Sequence, residues 1–385
     1  MSGTQKLRIG FMPLVDAATL IVAVDMGFAR AEGLDVELVR EASWSNIRDK
    51  LAIGRFDAAH LLTPMAIAST LGLGHIRVPF AAPVNLSTNG NAITLSPSLF
   101  EELLQAADGG LESPASSARA LAKLVKQREA RGLEPLTFGM TFPFSTHNYQ
   151  LRYWMAEGGI DPDRDLRLVV LPPPFMVESL REGHVHGFCV GAPWNSVAVD
   201  AGLGVILHFG CEIFPRAAEK VLALRESTLT SDPLLATALV RAVVAAADFC
   251  DKPENRDAVA SLLSREDRVA VDARLIAETL AGRLTIDARG KQRSASEYLV
   301  IGRDSCRPSA HQAAWLYAQM LRWGQTQFSA DHLSAAQGVM RAELYDRAVG
   351  DTSRCPAPIG AFAGPTFESD DVAGYLRAFP IGEKS

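Results

Sequence analysis

The sequence predicts an α/β protein of two lobes that enclose a ligand cleft, followed by a helix-rich C-terminal part. Two series of strands alternating with helices indicate the α/β class, because this alternation is typical of parallel strands covered by helices on both faces. Single strand-like segments near residues 91 and 218 separate the two series and predict two crossings between the lobes. We expect lobe 1 to hold residues 1–90 and 214–385, and lobe 2 to hold residues 91–213.

The first series lies within the first ninety residues, where Pro13, Gly33 and Gly54 end successive apolar runs. Ligands of such sheets bind outside the carboxyl ends of strands, where the following helices begin. The strand-to-helix turns are therefore the segments in which we expect a binding site. Strands are predicted at 7–12, 34–40, 56–61 and 75–82, and helices at 17–28, 44–53 and 64–71.

A crossing strand at 91–95 leads to the second series, which begins near Leu136. The segment 218–225 predicts the return crossing, and long amphipathic helices follow it, for example at 232–250 and 311–324. In the second series, strands are predicted at 137–142, 166–171, 185–190 and 205–209, and helices at 147–158, 175–182 and 195–201.

The composition excludes several classes of protein. Of the 385 residues, 48% are hydrophobic and 21% are charged, so the chain can bury enough apolar surface to fold and is not disordered. The 38 basic and 44 acidic residues give a net charge of -6, which argues against direct binding to nucleic acid. No run reaches the ~18 consecutive apolar residues of a membrane helix, so we expect no membrane partner.

The N-terminal residues and the cysteines predict a cytoplasmic location. The strand pattern begins by Leu7, which leaves no room for the charged start, apolar stretch and cleavage site of a signal peptide. The five cysteines are widely spread and form no CxxC pair, so we expect reduced thiols. The first of them is Cys189, so we expect no N-terminal lipid-anchor cysteine.

Three strand-to-helix turns combine a helix cap with a residue that can contact a ligand. The N-terminus of a helix carries roughly +0.5 charge and unpaired N–H donors, so it can bind a small anion. Trp44 and His147 occupy equivalent positions in the two series, and both can face one cleft. The alternative is an ordinary helix cap with an aromatic side chain that serves packing. The predicted caps are Asp16, Ser43, and Ser145 or Thr146.

Other polar groups in the sequence support weaker interpretations. The segment 85–91 is rich in amide and hydroxyl groups, but its Asn-Gly pair is also typical of a plain turn. His184 and His186 have no third ligand nearby, which argues against a metal site. Asp57 and His60 have no matching serine or cysteine motif, so a catalytic triad is unsupported. No nucleophile elbow, phosphate-binding loop or dinucleotide-binding glycine pattern occurs.

Lysine usage singles out one residue in the middle of the chain. Lys220 is the only lysine between Lys126 and Lys252, so any role for a compact, isolated cation there would belong to it. The alternative is a surface lysine at the end of a strand.

Several motifs together resemble one known family. REASW, NGNAI, TFPFSTHNY, PPPF, CVGAPW and AEKVL occur in similar order and spacing in the nitrate/nitrite/bicarbonate-binding family of type II periplasmic binding proteins, and the resemblance runs from about residue 7 to 330. It implies the two-lobed fold of that family and no cofactor, catalytic residue or metal. It also implies an anion-binding set formed by Trp44, Gly90, Asn91, His147, Pro173, Val190 and Lys220.

Two positions depart from the family pattern. Family members commonly carry Gln where this chain has Asn91, so the shorter side chain requires a shifted loop or a water. Ala218 replaces the proline that precedes the Glu-Lys pair, which changes the expected path of that segment. In the bicarbonate-binding sibling, the resemblance implies an acid in place of Lys220.

Three classes of function stay open at this point. With the expected cytoplasmic location, the chain resembles cytoplasmic nitrate/nitrite sensors of the NasS type. These imply a protein partner, an RNA-binding antiterminator of the NasT type with an ANTAR domain, which is held until nitrate or nitrite binds. The alternative is the substrate-binding subunit of an ABC-type nitrate or bicarbonate transporter, which requires an exported form. An enzyme of the related pyrimidine-synthesis type would need its own histidine and cysteine set, which is not seen.

Overall fold

Two mixed β-sheets organise the chain. The computed structural model describes residues 6–74, 76–350, 356 and 358–382. The strands that these residues form are β1 (Leu7–Phe11), β2 (Val36–Arg40), β3 (Ala58–Leu62), β4 (Phe80–Asn89), β5 (Asn91–Leu95), β6 (Thr137–Met140), β7 (Arg167–Val170), β8 (Gly187–Gly191), β9 (Val205–Phe209), β10 (Ala218–Arg225), β11 (Arg283–Thr285), β12 (Gln292–Ser294) and β13 (Leu299–Val300).

Helices cover both sheets, and single 3-10 turns occur at Val15–Ala17, Pro173–Phe175 and Pro253–Asn255. The helices of the described residues are α1 (Ala18–Asp25), α2 (Phe28–Ala31), α3 (Trp44–Ala52), α4 (Thr63–Leu71), α5 (Pro97–Ala106), α6 (Pro114–Ala130), α7 (Thr146–Glu157), α8 (Met176–Arg181), α9 (Trp194–Asp200), α10 (Gly210–Ile213), α11 (Glu226–Ser231), α12 (Pro233–Cys250), α13 (Arg256–Leu263), α14 (Ala273–Leu280), α15 (Arg303–Cys306), α16 (Ala310–Arg322), α17 (Ala330–Val339), α18 (Ala342–Val349) and α19 (Val372–Arg377).

Each sheet forms the centre of one lobe, which confirms the predicted two-lobed α/β fold. The six-stranded sheet has the order β13-β4-β10-β3-β1-β2, and the five-stranded sheet has the order β7-β6-β8-β5-β9. The sheets are mixed rather than purely parallel as predicted, because β10 runs antiparallel to β3 and β4, and β5 runs antiparallel to β8 and β9. The lobe boundaries at residues 90/91 and 213/214 stay a prediction.

The chain passes from one sheet to the other at Gly90, between β4 and β5. The backbone there has positive φ at both Asn89 (62°) and Gly90 (105°), a region that glycine adopts without strain. A Cβ at position 90 would lie 2.9 Å from Leu299 Cδ1, so the Leu299 side chain would have to shift to accommodate it. The plain turn considered as the alternative for 85–91 is therefore not formed: strand β4 continues to Asn89, and the chain then enters the other sheet without a hairpin.

Most other predicted elements agree with the structure to within a few residues. The first predicted helix, 17–28, is divided into the 3-10 turn Val15–Ala17, α1 and α2, with Gly27 in the left-handed conformation at the break. The strand predicted at 75–82 begins only at Phe80, and His75 lies outside the described residues.

The C-terminal residues pack back onto helices of both lobes. Tyr153 of α7 makes edge-to-face contacts with Phe362 and Phe379, and its hydroxyl donates to the Ala363 carbonyl at 2.6 Å. The Arg322 guanidinium of α16 lies 3.6 Å from the Phe379 ring centroid. These contacts join α7, which follows β6, to the helix-rich C-terminal part.

One described helix, α12, is long and apolar enough to cross a membrane by length and composition alone. Half of that stretch is buried inside the protein, and it packs against α1. It also carries Arg241 and Asp248. Burial of this kind is typical of a core helix, so the expectation of no membrane partner does not change.

Candidate functional site

Four of the residues predicted to bind an anion lie in one buried cluster. Trp44 begins α3 and Lys220 lies on β10, both in the lobe of the six-stranded sheet. Asn91 begins β5 and His147 lies in the first turn of α7, both in the lobe of the five-stranded sheet. All four side chains are at most 1% exposed, so the structure has the closed arrangement of the two lobes.

Serine caps position Trp44 and His147 as predicted. The Ser43 hydroxyl accepts from the Asn46 amide at 3.3 Å, and the Ser145 hydroxyl accepts from the Asn148 amide at 3.1 Å. Such caps satisfy N–H groups that have no partner inside the helix. The prediction for Asp16 is wrong, because neither the 3-10 turn that contains it nor α1 has a side-chain cap.

Asp16 instead forms an ion pair with the buried lysine. Lys220 Nζ lies 2.9 Å from Asp16 Oδ2 and 3.0 Å from Glu219 Oε1. It also lies 5.6 Å from the centroid of the Trp44 ring, within the range of a cation–π contact. Lys220 is fully buried, so the alternative of a surface lysine is wrong.

A β-bulge aims Glu219 and Lys220 into the same site. Neighbouring residues on a regular strand point to opposite faces. On β10, however, Ala218 pairs with Thr88 and Lys220 with Ser87, which leaves Glu219 as an extra residue opposite β4. An extra residue of this kind bends the strand and redirects side chains. The bulge therefore lets consecutive charged residues contact each other.

The ion pairs keep both carboxylates charged despite their burial. Desolvation alone would raise the pKa of Asp16, but the charge of Lys220 and the contact with His60 lower it to about 2. Burial likewise opposes ionisation of Glu219, and the charges of Lys220 and His147 lower its pKa below the usual value. Burial lowers the pKa of Lys220, and the two carboxylates overcome this and raise it. Two carboxylates and one ammonium give the cluster one net negative charge.

His60 is a part of the site that the sequence motifs did not reveal. The Met12 amide donates to His60 Nδ1 at 3.4 Å, so the proton of the neutral ring is on Nε2, 3.1 Å from Asp16 Oδ1. Burial lowers the pKa of this imidazole and keeps it neutral. Its ring lies edge-on to Trp44 with centroids 5.2 Å apart. His60 thus holds both the Asp16 carboxylate and the indole in place.

His147 faces a negative group with one ring nitrogen and lacks a partner at the other. Nδ1 lies 3.1 Å from Thr141 Oγ1 and 3.5 Å from Glu219 Oε1. Nε2 is buried without a hydrogen-bond partner. Burial lowers the pKa of His147 to about 4, although the Glu219 charge acts in the opposite direction. The ring is therefore neutral at physiological pH when the site holds no anion.

Both amide hydrogens of Asn91 are donated to residues of its own lobe. Gln150 Nε2 donates to the Gly210 carbonyl, so Gln150 Oε1 must accept from Asn91 Nδ2 at 3.1 Å. Thr146 donates its hydroxyl to Glu219, so its oxygen accepts from Asn91 Nδ2 at 3.3 Å. Asn91 Oδ1 is left buried without a partner. Asn91 therefore contributes an unpartnered acceptor to the buried cluster.

The remaining three predicted residues have other described contacts. Gly90 allows the crossing between the sheets, and its carbonyl accepts from the Ala192 amide at 2.9 Å. Pro173 begins the 3-10 turn before α8. Val190 packs in a separate apolar group with Met176 and Phe188. The anion-binding roles of these three residues stay predictions.

Within the described ranges, no group of three His, Cys, Asp or Glu side chains is placed to hold a metal ion. His186, one of the two histidines considered above, accepts a hydrogen bond from the Thr137 amide at 3.0 Å through Nδ1.

The residues of the cluster that the sequence analysis missed are His60, Glu219 and Asp16, the last of which was predicted only as a helix cap. Glu219 had a signal in the sequence as the acidic neighbour of the isolated lysine, and Asp16 had one as a residue of a strand-to-helix turn.

Comparison with known proteins gives a consistent family. Residues 2–264 match the NMT1-like family. The chain is 30% identical to the nitrate/nitrite binding protein NrtA of Nostoc, over 98% of this chain and 86% of that protein. It is 34% identical to the nitrate import ATP-binding protein NrtC of Synechocystis, over 99% of this chain but only 56% of that protein. The chain thus spans about half the length of that relative.

A solved structure with the same architecture is the periplasmic nitrate-binding protein NrtA from Synechocystis. It has a TM-score of 0.88 and 28% sequence identity, and it covers 98% of this chain and 99% of its own. The aliphatic sulphonate binding protein SsuA from Escherichia coli, at a TM-score of 0.56 and 14% identity, shares the fold alone. The chain belongs to the NMT1-like family, with the two-lobed periplasmic-binding-protein fold of the NrtA-like binding proteins.

Proposed function

We propose that this protein binds nitrate or nitrite between its lobes, in the cluster around Lys220. The observation that carries the proposal is a pair of fully buried nitrogen atoms without partners, Trp44 Nε1 and His147 Nε2. They come from opposite lobes and belong to side chains that contact the same Glu219–Lys220 pair. Buried polar groups nearly always have hydrogen-bond partners, so two unpartnered groups at one site support a role of that site in ligand binding.

The chemistry of the cluster suits a small planar oxyanion. Trp44 can donate through its indole N–H, and Lys220 has three donors, of which two face Asp16 and Glu219. The names of the relatives support nitrate and nitrite as the ligands. Because those relatives are binding and transport proteins, we propose no catalytic role.

The burial of the site links binding to movement of the lobes. Trp44 and Lys220 lie on one lobe, His147 on the other, and all are enclosed. An anion can therefore enter only when the lobes separate, and its contacts to both lobes favour closure.

The experiment that tests this proposal is calorimetry on the purified protein with nitrate, nitrite, bicarbonate and sulfate in turn. We expect heat of binding for nitrate or nitrite and none for sulfate. Nitrate should also change the tryptophan fluorescence, and Trp44→Phe should abolish that change while the other four tryptophans remain. Absence of binding to both nitrate and nitrite would reject the proposal.

For the biological role, we propose substrate capture for an ABC-type nitrate transporter, in line with the named functions of NrtA and NrtC. Transport assays in cells that lack their own nitrate-binding subunit test this role. Failure of the chain to restore nitrate uptake, alone or fused to the transporter's ATP-binding subunit, would reject it.

A second candidate is a cytoplasmic sensor that holds an antiterminator of the NasT type. The observation that favours it is the enclosure of the anion by both lobes, because a partner bound only to the open form would be released on closure. We expect a complex without ligand that nitrate or nitrite dissociates and sulfate does not. Size-exclusion chromatography of the mixture tests this, and co-elution unchanged by saturating nitrate would reject it.

A further inference from the structure

The proposed anion site contains more negative than positive charge. Asp16 and Glu219 contribute two carboxylates, Lys220 contributes one ammonium, and none of the three is more than 1% exposed. Both carboxylates are within 3.0 Å of Lys220 Nζ, so the ammonium is already neutralised. A monoanion that enters this cluster would double its net negative charge in a place where water cannot screen it.

The hydrogen-bond network adds a second mismatch for an anion that carries no proton. Asn91 Oδ1 is a buried acceptor, because Thr146 and Gln150 take both of its amide hydrogens. His147 Nδ1 lies 3.1 Å from Thr141 Oγ1, which can donate or accept, and 3.5 Å from the Glu219 carboxylate, which can only accept and so favours a proton on Nδ1. A neutral ring with its proton on Nδ1 would turn a lone pair on Nε2 toward the anion. One proton added to Nε2 corrects both the charge and the missing donor.

We infer that the site binds nitrate or nitrite together with one proton from solvent, which is held on His147 Nε2. This inference rests on the proposed anion site. In the bound state, the imidazolium keeps Nδ1 toward Thr141 and the Glu219 carboxylate and donates through Nε2 to the anion. The proton leaves with the anion, so binding and release are coupled to pH.

The charges around His147 agree with this assignment. Glu219 and Lys220 act on it from β10, and Asp16 acts from the 3-10 turn before α1. Without ligand the pKa of His147 is about 4, so the proton is absent at neutral pH. The added negative charge of the anion raises this pKa, and a proton is taken up wherever the pH lies between the two values.

Calorimetry with nitrate, in pairs of buffers that differ in ionisation enthalpy, tests the inference. We expect uptake of close to one proton per anion between about pH 4 and the pKa of the bound form, with affinity rising about 10-fold for each unit that the pH falls. His147→Gln should bind nitrate without proton uptake and with affinity independent of pH.

Glu219→Gln is a second variant, useful if His147→Gln does not fold. It removes one negative charge, so nitrate should bind more tightly at pH 8 and take up less than the wild-type fraction of a proton. Nitrate binding with no proton uptake and constant affinity from pH 5 to 8 would overturn the inference and leave the anion site intact. Uptake that persists unchanged in His147→Gln would overturn the role of His147. No binding of nitrate at any pH would instead reject the proposed function.

Discussion

Replacement of Lys220 by methionine separates its structural role from its binding role. The substitution keeps a long apolar stem but removes the only cation within 3.0 Å of Asp16 Oδ2 and Glu219 Oε1 among the described residues. Both carboxylates then remain buried without a counter-ion. Loss of one partner from a buried ion pair costs about 3–5 kcal/mol, so we expect Lys220→Met to lower the free energy of unfolding by that amount.

The same substitution removes a donor for the anion. A hydrogen bond to a charged group contributes ~1.5–3 kcal/mol, which corresponds to a loss of ~10- to 150-fold in nitrate affinity. The cluster also becomes more negative by one charge, so the larger loss is expected. Urea denaturation measures the first effect, and calorimetry at a temperature where the variant is folded measures the second.

A double variant, Lys220→Met with Glu219→Gln, serves as the control. It restores the net charge of the cluster to that of the wild type but still lacks the ammonium. We expect it to recover much of the lost stability and the part of the affinity that the extra negative charge removes, but not the part that the lost ammonium donor supplied. Wild-type nitrate affinity in Lys220→Met or Lys220→Glu would refute the assignment of Lys220 to the anion site. Wild-type stability in Lys220→Met would refute the buried ion-pair network.

Three further predictions concern stability. The pKa of Asp16 is about 2 in the folded protein and 3.8 in its ordinary state, so its ionised form stabilises the fold by about 2 kcal/mol above pH 4. This contribution is lost as the pH falls through about 2, and Asp16→Asn should remove this pH dependence in urea titrations. The pKa of His147 is about 4 in the folded protein and 6.5 in the unfolded chain, so the unfolded chain takes up this proton first as the pH falls. The free energy of unfolding should therefore fall by about 3 kcal/mol from pH 6.5 to 4 in the wild type but not in His147→Gln. Ser145→Ala should cost about 1 kcal/mol through loss of the α7 cap, and wild-type stability of this variant would contradict the role of the cap.

The sequence was sufficient for the features that depend on local pattern. Alternation of strands and helices predicted both lobes, and the serines before Trp44 and Thr146 predicted the caps of α3 and α7 because a cap depends only on residues a few positions away. The isolation of Lys220 among the lysines and a motif match pointed to the same side chain, and the structure places that side chain in the buried cluster.

The features that the sequence did not predict depend on contacts between distant segments. Asp16 was predicted as a cap because aspartate often caps helices, whereas its true partner is 204 positions away in the chain, as the two residue numbers show. His60 was set aside because no catalytic motif surrounded it, although its neutral state and its contact with Asp16 are set by the Met12 amide and by burial. The direction of the Glu219 side chain depends on a bulge opposite β4, and no local pattern in Ala218–Lys220 indicates a bulge.

Contacts that already cross between the lobes limit what an anion can change. Glu219 accepts a hydrogen bond from the Thr146 hydroxyl and faces His147, and the Val15 amide donates to the Ala192 carbonyl at 2.9 Å. The closed form is therefore stabilised in part by the protein's own groups. Only the additional contacts of the anion shift the balance between open and closed forms.

The energy available for that shift can be bounded. An anion bound with micromolar affinity contributes ~8 kcal/mol in total, and a change from 1:99 to 99:1 between two forms requires a difference of ~5.5 kcal/mol. Contacts to Trp44 and Lys220 are available in the open form as well, since both lie on one lobe. In the proposed binding mode, the part that discriminates is the contact to His147 on the other lobe, together with the proton that His147 is proposed to acquire. A closure driven mainly through His147 would be most complete at low pH, because the imidazolium then donates to the anion and is stabilised by the charge of Glu219.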